Sequence, residues 1–342
     1  MSKRYPTLLI FSSASDEHVQ AVLPYLNSKT MPCICDFSSP NLASVIPGET
    51  ASFSMLDAVG DRIFFENVES IWWRNPSSFS SNVSTEIAEF VEAQNTQFWG
   101  GFLALLPSGI RWYNHFQRAR EASRKMFQLQ TALESGFRIP KTLITSDPAE
   151  ARRFVQETGK TICKSLITTE QIWRPTQLVS EDLMEKMDHV SVCPLMFQEH
   201  IEGEEDVRII VIDDFVEAVA FDIKNSRYPY DVSIDALNRC RKTEIPDDLK
   251  LRLKNYMLKF GLRFGAFDFR LNTNGEFVFF EINPSGAFLY LDVRAKTCIA
   301  RAMAAALSTK NEGRIEKFPA ERVDYKADLP LILCAPERKS II

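Results

Sequence analysis

The sequence has little histidine, no close set of metal-binding cysteines and no excess of positive charge. It contains four histidines and seven cysteines, and only Cys33 and Cys35 lie close together, so no zinc-type ligand spacing exists. Scattered cysteines in odd number favour free thiols in a reducing cytoplasm over a disulfide framework. The net charge of −5 offers no electrostatic footprint for nucleic acid. Zinc proteins, disulfide-stabilised secreted domains and nucleic-acid binders are therefore disfavoured.

Long hydrophobic runs are also missing. Nothing approaches the length of a membrane span, and the apolar run after Lys3 and Arg4 is too short for a signal peptide. The composition is that of an ordinary globular protein, 45% hydrophobic and 25% charged, in 342 residues with room for two or three domains. We therefore expect neither a membrane nor a nucleic acid among the partners.

The N-terminal part has the pattern of a Rossmann-like βαβ unit. Ser12-Ser13-Ala14-Ser15 follows the first predicted strand where a dinucleotide site would have glycines, which argues against such a site. The predicted elements are a strand over 7–11, a helix over 16–27, strands over 32–37, within 53–65 and over 68–73, and a helix from Ser84 to about Leu105. Pro107-Ser108-Gly109 is predicted to close this domain.

The rest of the chain mixes helices and strands, which predicts an α/β protein. One amphipathic helix is predicted over 115–135, ended by Gly136. The other predicted elements are a helix over 147–158, strands over 160–167 and 195–201, a hairpin over 207–223, and helices over 247–260 and 299–307.

The most informative stretch covers residues 262–292, where two apolar runs flank Asn274-Gly275. This dipeptide is typical of a two-residue hairpin turn. A type I′ turn would pair Thr273 with Glu276 and would therefore set Asp268 opposite Glu281.

Because side chains alternate along a strand, this register predicts one polar face and one core face. The polar face would carry Asp268, Arg270, Asn272, Glu281 and Asn283. The core face would carry Phe267, Phe269, Leu271, Val278, Phe280 and Ile282.

Two carboxylates side by side across a ladder repel each other, so a hairpin that only needs to fold has no use for them. A divalent cation between Asp268 and Glu281 would remove the conflict. Their carboxylates and the Asn283 amide are oxygen ligands that suit Mg²⁺ with bound phosphates. The alternative is a solvent-facing hairpin with scattered charges.

Several short motifs occur in a fixed order along the chain. They are Ile71-Trp72-Trp73-Arg74, Pro140-Lys141-Thr142, Gln198-Glu199-His200-Ile201, Asp206-Val207-Arg208, Gly265-Ala266-Phe267-Asp268-Phe269-Arg270 and Glu281-Ile282-Asn283-Pro284. Together they resemble the ATP-grasp ligases from about residue 111 to residue 307. Within that superfamily the sequence is most similar to the microviridin-type (graspetide) peptide ligases and the related ribosomal-protein glutamate ligases.

The resemblance implies an α+β ATP-grasp fold in which two subdomains grip ATP. We expect a Rossmann-like pre-grasp domain over 1–110, a central subdomain over 111–197, a C-terminal subdomain with the metal site over 198–310, and a tail over 311–342.

The resemblance also implies the residues that bind ATP and Mg²⁺. The metal would be held by Asp268, Glu281 and Asn283, as their chemistry already suggests. The expected nucleotide contacts are Lys164, Lys125, Asp206 and the hinge residues Gln198, Glu199, His200 and Ile201. A solvated helix face is the alternative for Lys125, a solvated acidic loop for the cluster around Asp206, and an ordinary hinge side chain is preferred for His200.

Arginines are assigned to catalysis and substrate. Arg208 is predicted to stabilise the γ-phosphate and the acyl phosphate, since its planar fork stays charged. Arg270 is counted with it as catalytic, and Arg74 and Arg241 as substrate contacts.

Three departures from the family pattern stand out. The predicted lid over 168–177 has no glycine. The segment around 231–233 lacks the family arginine, which Arg227, Arg239 or Arg241 would replace. Ser285-Gly286-Ala287-Phe288 stands where the family has a polar-aromatic pair.

The expected activity is ATP-dependent ligation through an acyl phosphate. The resemblance implies a ribosomal precursor peptide with a leader segment, whose Asp or Glu side chains are joined to Lys, Ser or Thr, and an enzyme that forms a homodimer. One alternative is a glutamate or amino-acid ligase acting on a protein tail or small molecule. Another is a nucleotide-binding regulator without turnover.

Overall fold

The structure is a computed structural model and describes residues 3–37, 43–48, 52–57, 61–76, 84–167, 175–224, 226 and 239–308. The described strands are β1 (Lys3–Arg4), β2 (Leu8–Ser12), β3 (Pro32–Cys35), β4 (Ala43–Ile46), β5 (Ser52–Leu56), β6 (Arg62–Phe64), β7 (Ser70–Asn75), β8 (Arg111–Tyr113), β9 (Thr142–Thr145), β10 (Thr161–Lys164), β11 (Gln177–Leu178), β12 (Leu195–Glu199), β13 (Gly203–Ile212), β14 (Phe215–Asp222), β15 (Cys240–Thr243), β16 (Phe264–Asn272) and β17 (Phe277–Asn283). The described α-helices are α1 (Glu17–Val22), α2 (Thr85–Ala104), α3 (Phe116–Ala122), α4 (Lys125–Glu134), α5 (Pro148–Thr158), α6 (Glu181–Glu185), α7 (Asp247–Phe260), α8 (Leu289–Ala295) and α9 (Ile299–Leu307).

The N-terminal layer is a parallel sheet in the order β3-β2-β7-β8, which confirms the predicted βαβ opening. A second sheet, in the order β1-β6-β5-β4, packs beside it and contains two short strands that sequence reasoning missed. Helix α1 is shorter than predicted and continues as a 3₁₀ turn over Leu23–Tyr25. Pro24 explains the change, since proline cannot donate the hydrogen bond that an α-helix interior needs.

Two antiparallel sheets follow. The central sheet has the order β11-β10-β12-β9, and the C-terminal sheet has the order β15-β14-β13-β16-β17. The predicted hairpin over 207–223 is confirmed as β13 and β14. In the C-terminal sheet, β17 is an edge strand.

The predicted helix over 115–135 is wrong in one respect, because it is two helices, α3 and α4. The Ser123 hydroxyl donates to the Ala119 carbonyl and its own N–H closes the end of α3. Such local bonds compete with a continuous helix. The break makes Lys125 the first residue of α4, and the predicted stop at Gly136 is confirmed by its φ of 79°.

The hairpin of β16 and β17 keeps the predicted pairing of Asp268 with Glu281, but the turn is not the predicted one. Asn272 pairs with Glu276, so the loop is 273–275, with Gly275 at φ 78°. This is the three-residue loop with a left-handed glycine rather than a type I′ turn. It shifts the ladder near the turn by one residue.

A β-bulge at Phe280 shifts the ladder back, since Phe269 pairs with Phe279 and Asp268 with Glu281. The predicted core face is therefore wrong at Phe280 and at Val278, which pairs with Arg270 of the polar face. Phe279 is fully buried among the core aromatics instead. The Phe280 ring lies on the polar face, with its centroid 5.4 Å from the Arg270 guanidinium carbon and 5.9 Å from Lys164 Nζ.

Two cores join the sheets. One combines β2, β7, β13 and β14 with α8 and α9, so the N-terminal and C-terminal sheets share buried side chains. The other packs α3, α4 and α7 against β13, β16 and β17. The proposed domain limits at residues 110, 197 and 310 stay predictions. No α-helix in the described ranges is long and apolar enough to cross a membrane.

Candidate active site

The carboxylates of Asp268 and Glu281 lie side by side on β16 and β17, and each is matched by a cation. Arg208 holds Asp268 with two parallel bonds, from Nε at 2.8 Å and from Nη2 at 2.7 Å. Lys125, at the start of α4, contacts the Glu281 carboxylate. The repulsion expected from the sequence is therefore already relieved by side chains of the chain itself.

The charges around Glu281 keep it ionised. Burial alone would raise the pKa of Glu281, but Lys125, Lys164 and Arg208 lower it to about 2. For Arg208, burial acts to lower the pKa, but the neighbouring groups, led by Asp268, outweigh burial and raise the pKa well above its usual value. An ionised carboxylate is the form that binds a divalent cation, so Glu281 is in the protonation state that a metal site requires.

A second ion pair lies on the same sheet face and, like the pair of Arg208 and Asp268, joins β13 to β16. Asp206 on β13 pairs with Arg270 on β16, with Nε at 2.7 Å and Nη2 at 3.0 Å from its oxygens. Arg270 also donates to the Ile201 carbonyl at 3.1 Å. The two arginines predicted as catalytic therefore occupy neighbouring rungs of one ladder, each closed on an aspartate.

A cleft between the central and C-terminal sheets collects most of the predicted nucleotide residues. Its lining is formed by Ile162, Lys164, Thr176, Gln198, His200, Ile201, Arg270 and Phe280. The Gln198 side chain donates to Thr142, while its Oε1 is buried and has no hydrogen-bond partner within the described part of the chain. An unmatched buried acceptor beside a cleft is the feature expected where a bound molecule supplies the donor.

The hinge backbone is partly engaged. The Glu199 and His200 N–H groups donate to the Lys141 and Lys160 carbonyls, each at 2.9 Å. The Ile201 carbonyl already accepts from Arg270. Contacts from this predicted hinge to a nucleotide would therefore come from its other polar groups.

The segment after β17 is held by the N-terminal domain. Asn114 donates to the Pro284 carbonyl at 2.8 Å, and Arg74 donates to the Ser285 carbonyl. The Phe288 N–H donates to His18 Nε2 at 3.1 Å, and burial lowers the pKa of His18, which keeps this acceptor neutral. The position of the segment is therefore set from outside the hairpin.

Gly286 lets the same segment fold back onto β16 and β17. A Cβ at this position would lie 2.5 Å from the Ala266 Cβ and 3.3 Å from the Asn283 Cβ. Asn283 itself is exposed, and its Oδ1 accepts from the Ser285 N–H at 3.0 Å. Because an amide oxygen has two lone pairs, this turn bond leaves one for a metal.

Not every predicted residue reaches the site. Arg241 lies on β15 on the opposite sheet face from Arg208 and pairs with Glu205 at 2.7 Å. Arg74 is buried between Asp16 and Ser285 rather than open to a substrate. Residues 168–174 of the predicted lid, Arg227, 231–233 and the tail over 311–342 lie outside the described residues.

Sequence reasoning missed Gln128, Asn114, Tyr290 and His18. The Tyr290 hydroxyl accepts from Arg208 at 2.7 Å. All four contact residues that are distant in the sequence, so no local sequence pattern predicts their roles. The spacing of Gln128 three residues after Lys125, on one helix, is the sole signal that the sequence offers.

The donor set fits Mg²⁺. Two carboxylates and an amide oxygen leave positions for water or phosphate oxygens in an octahedral shell. Within the described ranges, no group of three or more His, Cys, Asp or Glu side chains is placed to hold a metal, so the set depends on its amide and on the nucleotide.

A cleft lies between the central and C-terminal antiparallel sheets, with paired carboxylates beside it, and the solved structures below confirm the α+β ATP-grasp fold that the sequence resemblance implied. No model of a known protein family matches the sequence, and no curated protein matches it.

Solved structures do match. The macrocyclase MdnC of Microcystis aeruginosa, bound with the precursor peptide MdnA, is 21% identical, with a TM-score of 0.76 over 88% of this chain and 98% of that one. A Chryseobacterium gregarium RiPP-associated ATP-grasp ligase, in complex with ADP and a leader and core peptide, is 23% identical, with a TM-score of 0.76 over 90% and 96%. The ATP-grasp ligase PsnB, complexed with a phosphomimetic precursor variant, Mg and ADP, is 25% identical, with a TM-score of 0.68 over 88% and 97%.

Proposed function

We propose that this chain is an ATP-dependent ligase that macrocyclises a ribosomal precursor peptide by joining Asp or Glu side chains to Lys, Ser or Thr. The observation that carries the proposal is the pairing of Asp268 with an ionised Glu281 beside a cleft that collects Lys164, Gln198 and His200. Its similarity to ligases solved with precursor peptides, ADP and Mg supports ATP, Mg²⁺ and a peptide as ligands.

In this proposal the reaction has two steps. A peptide carboxylate attacks the γ-phosphorus of ATP, which forms an acyl phosphate and releases ADP. A Lys amine or a Ser or Thr hydroxyl then attacks the acyl carbon, loses its proton and displaces phosphate. Bound Mg²⁺ would neutralise the β- and γ-phosphate charge.

The residues of the chain supply charge and position. Asp268, Glu281 and Asn283 would hold the metal, and Lys164 would meet the phosphates as a point charge. Arg208 is fixed by Asp268 and Tyr290, so its remaining edge would face negative charge that develops at the transferring phosphoryl group.

The test is a mass measurement. The protein is incubated with Mg-ATP and the short Thr- or Lys-containing acidic peptide encoded by a neighbouring gene. We expect the peptide to lose the mass of one water per linkage, and Glu281→Gln to prevent the loss. A mass gain equal to an added amino acid would instead favour a glutamate or amino-acid ligase, and ATP binding without turnover would favour a regulator.

We further propose a homodimer that works in the cytoplasm, where ATP is available, and that holds the leader segment away from the cleft. The surface we assign to the dimer is one face of α2, where Ile87, Phe90, Phe98 and Leu105 are exposed, Phe90 by 65%. The intervals of three, eight and seven residues keep these side chains on one helix face.

The charge of α2 fits pairing with a second copy. Glu86, Glu89 and Glu92 lie in its first half, and the helix has no basic residue. A two-fold axis perpendicular to α2 makes the two copies of the helix antiparallel, so each acidic half meets a neutral half. Sedimentation should give a dimer for the wild type and for Thr96→Asp on the opposite face, and a monomer for Phe90→Asp. A monomeric wild type would contradict this assignment.

A further inference from the structure

The outer edge of β17 is covered by a side chain. An edge strand presents backbone N–H and C=O groups that no neighbouring strand satisfies. At Ile282 both groups are taken by the carboxamide of Gln128 on α4. Its Nε2 donates to the Ile282 carbonyl at 2.9 Å, and its Oε1 accepts from the Ile282 N–H at 3.3 Å. Gln128 therefore acts at this point as a short piece of a missing strand.

The carboxamide is fixed in place. Gln128 is 1% exposed, and its Nε2 also donates to the Ala122 carbonyl, the last residue of α3, at 2.6 Å. Both donors and the acceptor of the amide are thus used. Gln130, two residues further along α4, is exposed and bonds only to Glu134 among the described residues, at 3.1 Å.

Ile282 lies between two of the proposed metal ligands, Glu281 and Asn283. Holding both of its backbone groups limits rotation of the strand at this residue and so fixes the directions of the two side chains. Lys125, one turn before Gln128 on α4, contacts Glu281 itself. The helix thus holds the strand by backbone and by side chain at adjacent residues.

We propose that Gln128 is a positioning residue that sets the affinity of the Asp268, Glu281 and Asn283 set for its divalent cation by holding the Ile282 backbone. This inference rests on the proposed function only in taking that set as the metal site. Groups that orient metal ligands from outside the coordination shell typically change metal affinity by about 10–100-fold.

The test is calorimetric titration of the full chain with ADP, in EDTA and over a series of MgCl₂ concentrations. Gln128→Met keeps the length of the side chain and removes all three hydrogen bonds. We expect the Mg²⁺ concentration that gives half of the gain in ADP affinity to rise about tenfold or more. ADP affinity in EDTA should stay within about twofold of the wild type, since Gln128 does not line the nucleotide cleft, and Gln130→Met should match the wild type throughout.

A second variant separates positioning from general support of the fold. The carboxyl introduced by Gln128→Glu can accept from the Ile282 N–H but, when ionised, cannot donate to the carbonyls of Ile282 and Ala122. When protonated it can donate to one of them again. We therefore expect its Mg²⁺ requirement to improve relative to the wild type as the pH is lowered from about 8 to about 6, because burial raises the pKa of such a carboxyl.

Two results would overturn the proposal. One is an unchanged Mg²⁺ requirement in Gln128→Met. The other is an equal loss of ADP affinity with and without Mg²⁺, which would mean that Gln128 supports the fold alone. If the wild type itself gained no ADP affinity from Mg²⁺, the proposed function would fail at the same time, so that failure is distinguishable.

Discussion

Two ion-pair rungs lie next to each other on one sheet face, and they have the same composition in opposite orientation. In one, Arg208 on β13 faces Asp268 on β16, and in the other Asp206 on β13 faces Arg270 on β16. The first continues across β17 to Glu281 and on to Lys125, so two adjacent carboxylates lie between two cations in a row at the proposed metal site. The second ends on the Ile201 carbonyl and the Phe280 ring.

The two rungs differ in how far their arginine side chains are exposed. The Arg208 side chain is 13% exposed and the Arg270 side chain 4%. Arg208 is the more exposed of the two and borders the paired carboxylates, whereas Arg270 joins the hinge at Ile201 to the C-terminal sheet. We therefore propose that Arg208 acts on the phosphates and that Arg270 braces the hinge, although residue type alone placed both in one catalytic group.

The largest effect on stability is expected from Arg270→Met. Removing one partner of a buried ion pair leaves an uncompensated charge, which costs about 3–5 kcal/mol in the free energy of unfolding. Arg208→Met should cost less, since the Arg208 side chain is more exposed than that of Arg270, but should lower turnover more per unit of lost stability. Denaturant unfolding and ADP release by both variants check this order. If the loss of ADP release relative to the loss of stability were the same in both variants, the distinction between the two rungs would disappear.

Lys164→Met should weaken ATP binding by about 10–100-fold, as expected for a charge-assisted hydrogen bond of about 1.5–3 kcal/mol. Lys164 lies beside the first rung and lowers the pKa of Glu281. The matched control is Lys141→Met, since Lys141 is an exposed lysine whose ion pair with Glu157 spans 4.0 Å. Unchanged ATP affinity in Lys164→Met would move the phosphate contact to another residue.

The first rung should also make stability depend on pH in acid. The pKa of Glu281 is about 2 in the folded chain, against an ordinary 4.5. The unfolded chain therefore binds this proton more readily, so the stabilisation is fully present above pH 4.5 and is lost as the pH falls toward 2. Unfolding of wild type and Glu281→Gln should show a difference that shrinks over this window. A constant difference would contradict the assigned shift.

The smallest effect is expected from Arg241→Gln. Its ion pair with Glu205 lies on the other sheet face and is well exposed, and such pairs contribute less than about 1 kcal/mol. ADP affinity with Mg²⁺ should stay within about twofold of the wild type in calorimetric titration. A large loss would show that the far face communicates with the site.

The sequence predicted most elements of the sheets and the pairing of Asp268 with Glu281, because strand periodicity and turn residues are local signals. The route to that pairing was partly wrong, since a longer loop at Gly275 and a bulge at Phe280 cancel in register. The bulge at Phe280 depends on how this aromatic ring fits into the cleft between the central and C-terminal sheets, and the periodicity of the sequence does not report that fit. This is why Phe280 was assigned to the core instead of the cleft.

The partners of the charges could not be predicted either. Lys125 and Glu281 are 156 residues apart, and Arg208 and Asp268 are 60 apart. Charged residue types show that partners are needed but not which ones meet. The same holds for Gln128, whose two backbone contacts at Ile282 exist only because α4 lies against an edge strand.

The central claim is that Asp268 and Glu281 form the metal and nucleotide site of a ligase. The most direct measurement is ADP release by Glu281→Gln, supplied with Mg-ATP and a peptide that the wild type modifies, beside Glu276→Gln from the same hairpin. We predict that Glu281→Gln releases no ADP while its far-UV circular dichroism matches the wild type, and that Glu276→Gln remains active. Full turnover by Glu281→Gln would contradict the account.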